Sequence, residues 1–475
     1  MILIAGAGPT GLTLAIDLAR RGVPHRLVDP RRPAGSRGKG LQPRTLEVLD
    51  DLGVIDAVRA AGAPYPPLRA YSGADVVWEG RMHEPAEPTP DVPYPNVLMV
   101  PQWRTEQILR DRLTALGGRV DTVGLAGFAQ DGDGVTADLT DGTTVRAAYL
   151  VGADGGRSTV RKALGVPFLG ETRDEERMLI GDVRTPDLDR DHWHMWADLE
   201  TRTPGVGLCP LPGTSDFQFT SVLAPGEDPD LTLATYQRHL ADGSGRDDIR
   251  LTGLGWASVY RVNIRMAERF RAGRVFLAGD AAHVHSPAGG QGLNTGVQDA
   301  YNLGWKLAAV LSGASPSLLD TYEEERLPVA AGVLGISTAL YRKAAEGQAD
   351  AHKRGEETQQ LLLAYPDSPL SSGPHGGTRA PNASLADGTT LFDAFRGPHF
   401  TLLAFNTPAP ACGPAVRTVP ITANPEAEAA YGVTAPTLVL VRPDGYRAHT
   451  GDAASTHTYL TRLNLPRRTR SRSAP

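Results

Sequence analysis

Apolar residues run along this chain with two periodicities that switch at a few places. The opening run Met1 to Ala5 is continuously apolar, as a strand buried on both faces would be, and Leu12, Leu14, Ile16 and Leu18 then recur at helical spacing. Between them stand Gly6, Gly8 and Gly11, and a second apolar strand, Arg26 to Val28, ends in Asp29, 18 residues beyond Gly11. After the polar loop "PRRPAGSRGKG", Leu46, Val48, Leu49 and Leu52 predict a helix, and the proline-rich stretch from about Ala63 to Pro95 predicts strands and loops. "WRTEQILRDRLTALGG" reads as an amphipathic helix stopped by glycine, and "VTADLTDGTTVRAAYLVGADGG" as a hairpin with a DG turn running into a buried strand, Tyr149 to Ala153. From about Gly170 to Ala267 the pattern alternates, with "DFQFTSVL" and "GWASVYRVNI" as strands of a separate antiparallel sheet. "GRVFLAGDAAHVHSPAGGQGLNTGVQDAYNLGWKLAAVL" then returns to a buried strand, a glycine-rich loop and a long helix, with helices expected to about Leu363. A chain that leaves one fold and later re-enters it builds that domain from discontinuous segments.

"AYPDSPLSSGPHGGTRAPNASLADG" carries Pro, Gly and Ser at linker density, which places a boundary near 370 with few contacts crossing it. Beyond it, "HFTLLAF", "VRTVPI" and "PTLVLVRPDGYRAH" predict strands. A length of 475 residues calls for two or three domains.

Composition mostly removes function classes. Lys plus Arg is 48 and Asp plus Glu 54, a net charge of −6 that offers nucleic acid nothing, and the basic "PRRTRSRSAP" end reads as a solvated tail. Cys209 and Cys412 have no metal-ligand spacing and fit a reducing cytoplasm. The apolar start is interrupted by glycines and lacks a basic flank, so it reads as a strand rather than a secretory signal; no run of 18 apolar residues predicts a membrane span.

The strand, the three glycines, the helix and the terminal acid together fit a dinucleotide site. Gly6 allows the tight turn, Gly8 lets a pyrophosphate approach the backbone, Gly11 lets helix pack on strand, and Asp29 accepts from a ribose hydroxyl. An acid there disfavours a 2′-phosphate, which leaves NAD and FAD. A third loop, "LAGDAAHVHSPAGGQGLN", follows a buried strand, so Asp280 is expected at the strand's C-terminal edge, where a ribityl chain offers hydroxyls. "GGQGLN" opens a helix whose first N–H groups favour negative charge, such as that on the N1/O2 edge of a reduced flavin.

With GAGPTG at Gly6 to Gly11, ADGGRSTVRK at Ala153 to Lys162 and the Leu277 to Asn294 loop in order, residues 1 to 370 resemble the single-component flavin-dependent aromatic hydroxylases of the p-hydroxybenzoate hydroxylase fold. The resemblance implies an α/β chain: a doubly wound, Rossmann-like FAD-binding domain with an inserted antiparallel-sheet substrate domain. The expected divisions are 1–170 for the first FAD-binding part (63–100 contributing to the substrate domain), 171–268 for the substrate domain and 269–370 for the second FAD-binding part. A thioredoxin-like domain at 375–466 and a tail at 467–475 complete the chain. Cofactor-binding residues are carried onto Gly6, Gly8, Thr10, Gly11, Asp29, Arg37, Gln102, Asp154, Gly279, Asp280, Pro287, Gly292, Leu293 and Asn294, with Arg157 and Arg161 behind Asp154. On its own Asp154 also fits an Asx turn, and Arg37 a solvated side chain.

The chain has no second GxGxxG unit, and the family implies why: NAD(P)H binds transiently, reduces FAD and leaves, after which O2 gives a C4a-hydroperoxyflavin that hydroxylates an electron-rich ring. The expected substrate is a bulky phenolic or polycyclic aromatic of the polyketide or antibiotic class. Baeyer–Villiger oxygen insertion and a non-catalytic flavin-binding role stay open, as do the substrate-side base, NADH against NADPH, and a homodimer. His283 and His285 lack further ligands at metal spacing, and "WHMW" at Trp193 to Trp196 reads as core or pocket lining. The last hundred residues look like the thioredoxin-like appendage of phenol and antibiotic hydroxylases, with a cis-proline expected at Ala435-Pro436-Thr437. Cys412 alone cannot form a CxxC pair, so the appendage reads as structural.

Overall fold

The computed structural model describes residues 1–31, 35–198, 203–346 and 352–464. Its first sheet is set by the continuous apolar runs. Ile2–Ala5 lies parallel to Tyr149–Gly152 on one side and to His25–Val28 on the other; Val275–Leu277 continues beyond Tyr149–Gly152. Short strands Val120–Asp121 and Arg271–Ala272 complete the two edges. Every residue of Ile2–Ala5 and Tyr149–Gly152 is buried, as a parallel sheet covered on both faces requires. Register decides the function of this sheet: Ala5 is level with Gly152 and Val28, and Gly152 with Leu277. Four segments therefore leave at one height on the strands' C-terminal edge, where open α/β sheets bind ligands. The helices Pro9–Arg20 and Gly292–Leu311 pack against each other over this sheet.

A second sheet of eight strands runs in the order His283–Val284, Gly253–Ala267, Phe168–Arg184, Asp216–Val222, Thr203–Pro210, Trp193–Asp198, Leu68–Ser72, Asp75–Gly80. Period-2 alternation sorts its side chains. Leu179, Val183, Leu208, Phe217 and Phe219 face the helix Leu233–Ser244 and form a core with its Tyr236 and Leu240. Sequence patterning did not expose that helix, because only one of its faces carries apolar residues and these are few. Its ends are nevertheless marked, by a Thr232 side chain that accepts from the Thr235 N–H and by Gly245 at φ 66°. Alternation also divides the tryptophans of "WHMW": Trp196 stacks on Tyr71 in the core, whereas Trp193 emerges on the other face under Lys39.

Three expectations fail here. Helices do not reach Leu363: helix Asp320–Ala345 ends the run, and only the short turn Glu356–Thr358 follows among the described residues of that stretch. Tertiary bonds replace helical ones, as Gln360 (φ 63°) exchanges amide hydrogen bonds with Gln291, Thr295 and Gln298 on the long helix. Nor do few contacts cross the boundary near 370. Trp305 and Leu318 share one core with Phe400, Leu402, Leu438 and Leu440, and the buried ion pairs Arg442–Glu325 and Arg379–Glu47 bind the two parts together. Turn-forming residues report local backbone preference, not the partners that a segment finds in space. Finally, no peptide bond among the described residues is cis, so Ala435-Pro436 enters its strand through the ordinary trans bond.

The C-terminal sheet orders Val416–Ile421, Phe400–Phe405, Thr437–Val441 and Arg447–Gly451, the first two parallel and the rest antiparallel, with helices Pro425–Tyr431 and Ala453–Leu463. Between its first two strands there is a loop and no helix, and Cys412 sits half-buried in it, unpaired.

Candidate active site

The three glycine-bearing loops meet at the aligned strand ends. Gly6, at φ 104°, passes so close to the second loop that a Cβ there would stand 2.2 Å from the Ala153 carbonyl oxygen. Gly11 packs directly against the Gly6 carbonyl, while a Cβ on Gly8 would meet nothing within 4 Å. Thr10 joins the first loop to the third: a Cβ on Gly279 or on Gly296 would come within 2.5 Å of its hydroxyl. Helix Pro9–Arg20 starts beside Gly8 with no side chain capping it, and helix Gly292–Leu311 likewise starts uncapped, so two sets of first-turn N–H groups point into the same region.

Acids surround that region. Asp29 is buried and accepts from the Ala7 N–H at 2.8 Å and from the Arg31 N–H at 2.9 Å, which fixes its carboxylate under the first loop and still leaves lone pairs. Asp280 is exposed and makes no hydrogen bond with another described residue. One Asp154 oxygen accepts from the Thr159 and Val160 N–H groups and caps the next helix, as an Asx turn would, and the other is buried without a partner. Arg161 turns away to the Ala281 and Gly156 carbonyls.

Arg37, Gln102 and Leu293 come together around the loop 35–42. Gln102 accepts from the Gly38 N–H at 3.0 Å, Leu293 packs on Gly38, and Arg37 lies over Trp256 and donates to Ser258. Asn294 is fully buried and uses its side chain structurally, accepting from the Gln42 N–H and donating to the Gly40 and Gly290 carbonyls. What it can present to a ligand is backbone. Pro287 stands exposed at the loop's turn.

Facing these loops is the free face of the eight-stranded sheet. Directly opposite residues form rungs across it. One rung holds Cys209, Gln218, Asp182 and Trp256, and it is covered: Lys39 and the Ser36 carbonyl bind Gln218, and burial pushes the Asp182 carboxyl up to about 6. The next rungs, Met195–Gly207–Thr220–Ile180–Ser258 and Val222–Met178–Tyr260, carry mostly apolar side chains. Met195 and Val222 remain 38% and 39% exposed, and Tyr260 donates to the His285 carbonyl, which sets this platform against the third loop.

His283 and His285 serve the loop itself. His283 Nε2 bonds Asp299 at 2.7 Å, and His285 stacks on His283, deeply buried, with its own Nε2 unpartnered. Sequence reading missed Asp299, which also accepts from the Gly279 N–H and pairs with Arg326, and Arg110, which donates to the Ala7 carbonyl beside Asp29. The spacing of Gln102, Glu106 and Arg110, every fourth residue on one helix face, was the available signal for the latter. A cavity of about 730 Å³ lined by Met1, Pro24, Arg26, Leu116 and Arg119 opens at the opposite, N-terminal edge of the sheet, away from all of these groups.

Residues 1–337 match the FAD binding domain model and residues 373–464 the model of the aromatic-ring hydroxylase C-terminal domain. The chain is 51% identical over 94% of its length to a flavin-dependent monooxygenase of Mycobacteroides abscessus, 96% of which is covered. It is 36% identical over 97% of its length to the 6-methylpretetramide 4-monooxygenase of Streptomyces rimosus, 92% of which is covered. Among solved structures, aklavinone-11 hydroxylase with FAD and aklavinone superimposes with a TM-score of 0.79 at 30% identity, covering 98% of this chain and 99% of that one.

Proposed function

The chain belongs to the FAD-dependent aromatic-ring hydroxylases and is a monooxygenase, and from that premise we propose that it hydroxylates a flat polycyclic phenol of the polyketide or antibiotic type on the platform formed by Met195, Thr220, Val222 and Met178. The observation that carries the reading is the facing arrangement: strand ends in register deliver three loops to one place, and the open, apolar sheet face stands against them. The residues fit an extended dinucleotide. Gly8 leaves room at a helix start for a pyrophosphate, Asp29 would accept from the adenosine ribose, Asp280 would accept from the ribityl hydroxyls, and the first-turn amides of Gly292, Leu293 and Asn294 would favour negative charge on the flavin.

When bound, FAD supplies the activation of dioxygen. The chain's own residues do the rest. The uncapped N-terminus of helix Gly292–Leu311 stabilises negative charge at its end of the site. The platform orients a ring and excludes water from it, and Tyr260, bonded to the His285 carbonyl, holds platform and loop at a fixed separation. Among the described residues one glycine-rich strand–loop–helix unit is built for a dinucleotide, so the reductant, NADH or NADPH, docks transiently. The test is a panel of monocyclic and polycyclic phenols scored by substrate-stimulated NAD(P)H oxidation and product mass. A gain of one oxygen on a polycyclic substrate is expected; FAD-loaded enzyme that no aromatic stimulates would overturn the reading.

A further inference from the structure

Helix Asp320–Ala345 borders the third loop at four points. Tyr322 donates to the Leu277 carbonyl just before the loop, Arg326 pairs with Asp299, which itself holds the Gly279 N–H and His283, Ser286 donates to the Ser337 carbonyl, and Leu340 packs on Gly289. The position of this helix therefore sets the position of the loop. Its own rotation is fixed from a second side, about 100° round the helix, by the adjacent residue. Glu325 is fully shielded and takes two hydrogen bonds from Arg442 of the C-terminal domain, at 2.6 and 2.9 Å, beside others from Lys306, Asn302 and Ser368. Arg442 in turn is braced by Asp444 in the same hairpin. Neighbouring residues on a helix point about 100° apart, so Glu325 faces the C-terminal domain while Arg326 faces the loop's anchor.

We propose that Arg442 is a positioning residue for the cofactor: the C-terminal hairpin clamps Glu325 and, through the Arg326–Asp299 pair, sets the loop that holds FAD. The C-terminal domain, though without redox chemistry of its own, thereby tunes flavin binding from outside the nucleotide fold. The proposal rests on assigning the Gly279–Asn294 loop to FAD.

The test measures FAD Kd, the visible spectrum and midpoint potential of bound flavin, and the melting temperature in full-length protein. Arg442→Met combined with Glu325→Gln removes one charge of each sign, so that the Lys306 ammonium and the Asp444 carboxylate remain at the junction as a balanced pair of charges. It is expected to raise FAD Kd roughly two- to thirty-fold, the usual range for coupling through a packed network, and to shift the flavin spectrum. Arg442→Lys keeps the charge but cannot hold both Glu325 oxygens in one plane, and should give a smaller rise; it carries the test if the double variant does not fold. Arg447→Met, which removes a buried arginine that bonds only the Tyr431 and Ala430 carbonyls within the same domain, serves as the control for plain stability and should lower the melting temperature with Kd unchanged. If the Arg442 variants behave like that control, the clamp is wrong. If Asp280→Ala leaves Kd unchanged, the loop assignment itself fails.

Discussion

Replacing Asp299 by asparagine removes one charge from the most tightly knit point beneath the flavin loop, and its cost can be worked out in two ways. Asp299 is fully buried; burial alone would raise its carboxyl, but Arg326, His283 and the Gly279 N–H outweigh that and hold it at about 2 instead of 3.8. At 1.36 kcal/mol per pH unit this environment favours the carboxylate by about 2 kcal/mol. The second route is the broken ion pair. Leaving a buried arginine without its carboxylate costs about 3–5 kcal/mol, and the low end applies because Arg326 keeps the Tyr365 hydroxyl and the Thr295 carbonyl as acceptors. Both routes give a loss of about 2–3 kcal/mol at pH 7. The sign of the pH dependence follows from the depressed value: the contribution is complete above about pH 4 and is lost as pH falls from there through about 2. Urea unfolding followed by tryptophan fluorescence at pH 7, 5 and 3 should show the gap between wild type and Asp299→Asn shrink at the lowest pH. A gap below about 1 kcal/mol at pH 7, or one that acid does not close, would refute the reasoning.

Three further outcomes are expected. Burial, with His283 beside it, holds the His285 imidazole down at about 3 from its ordinary 6.5. Acid below pH 6.5 then protonates the unfolded chain first and drains roughly 3–5 kcal/mol by pH 3, so His285→Asn should flatten the stability profile between those values. Val222→Trp should raise KM for a polycyclic substrate roughly ten-fold or more by obstructing the platform, with NAD(P)H oxidation stimulated by a monocyclic phenol within about two-fold, as steady-state kinetics on the two substrates will show. Cys412→Ser should leave turnover within about two-fold, since no second thiol approaches the half-buried Cys412 and none enters the oxygen transfer; loss of turnover in FAD-loaded protein would make the appendage part of electron transfer.

The elements legible in the sequence are those whose signals are local. Met1 to Ala5 and Tyr149 to Ala153 read as buried strands because burial on both faces leaves a continuous apolar run, and GAGPTG reads as a turn because its geometry is intrinsic to glycine. The same locality explains what was illegible. Nothing near Asp299 in the chain announces Arg326, and nothing near Lys39 announces Gln218, because each pairing is made between segments that only the folded sheet brings together. Asn294 illustrates the division within one residue. Its place at a helix start was readable, but the use of its side chain to hold Gln42 and Gly40 depends on a strand more than two hundred residues earlier.

The C-terminal domain shows how the contacts made across a boundary change a functional argument. Proline, glycine and serine around residue 370 read as a loose joint, and a loose joint would make the domain dispensable to the flavin site. Instead Glu325, Lys306, Arg442 and Asp444 are all almost completely shielded at the junction, two negative and two positive charges in mutual contact. Such a cluster is costly to assemble and more costly to break, since removal of any one member strands another without water. A hinge between the parts would expose it at every excursion, so the arrangement resists relative motion. The chain thus carries a thioredoxin-like strand order from which the helix between the first two strands is missing, and with it any place for a dithiol. It presents to the rest of the molecule the hairpin that holds Glu325, and a rigid brace is the role that these contacts define.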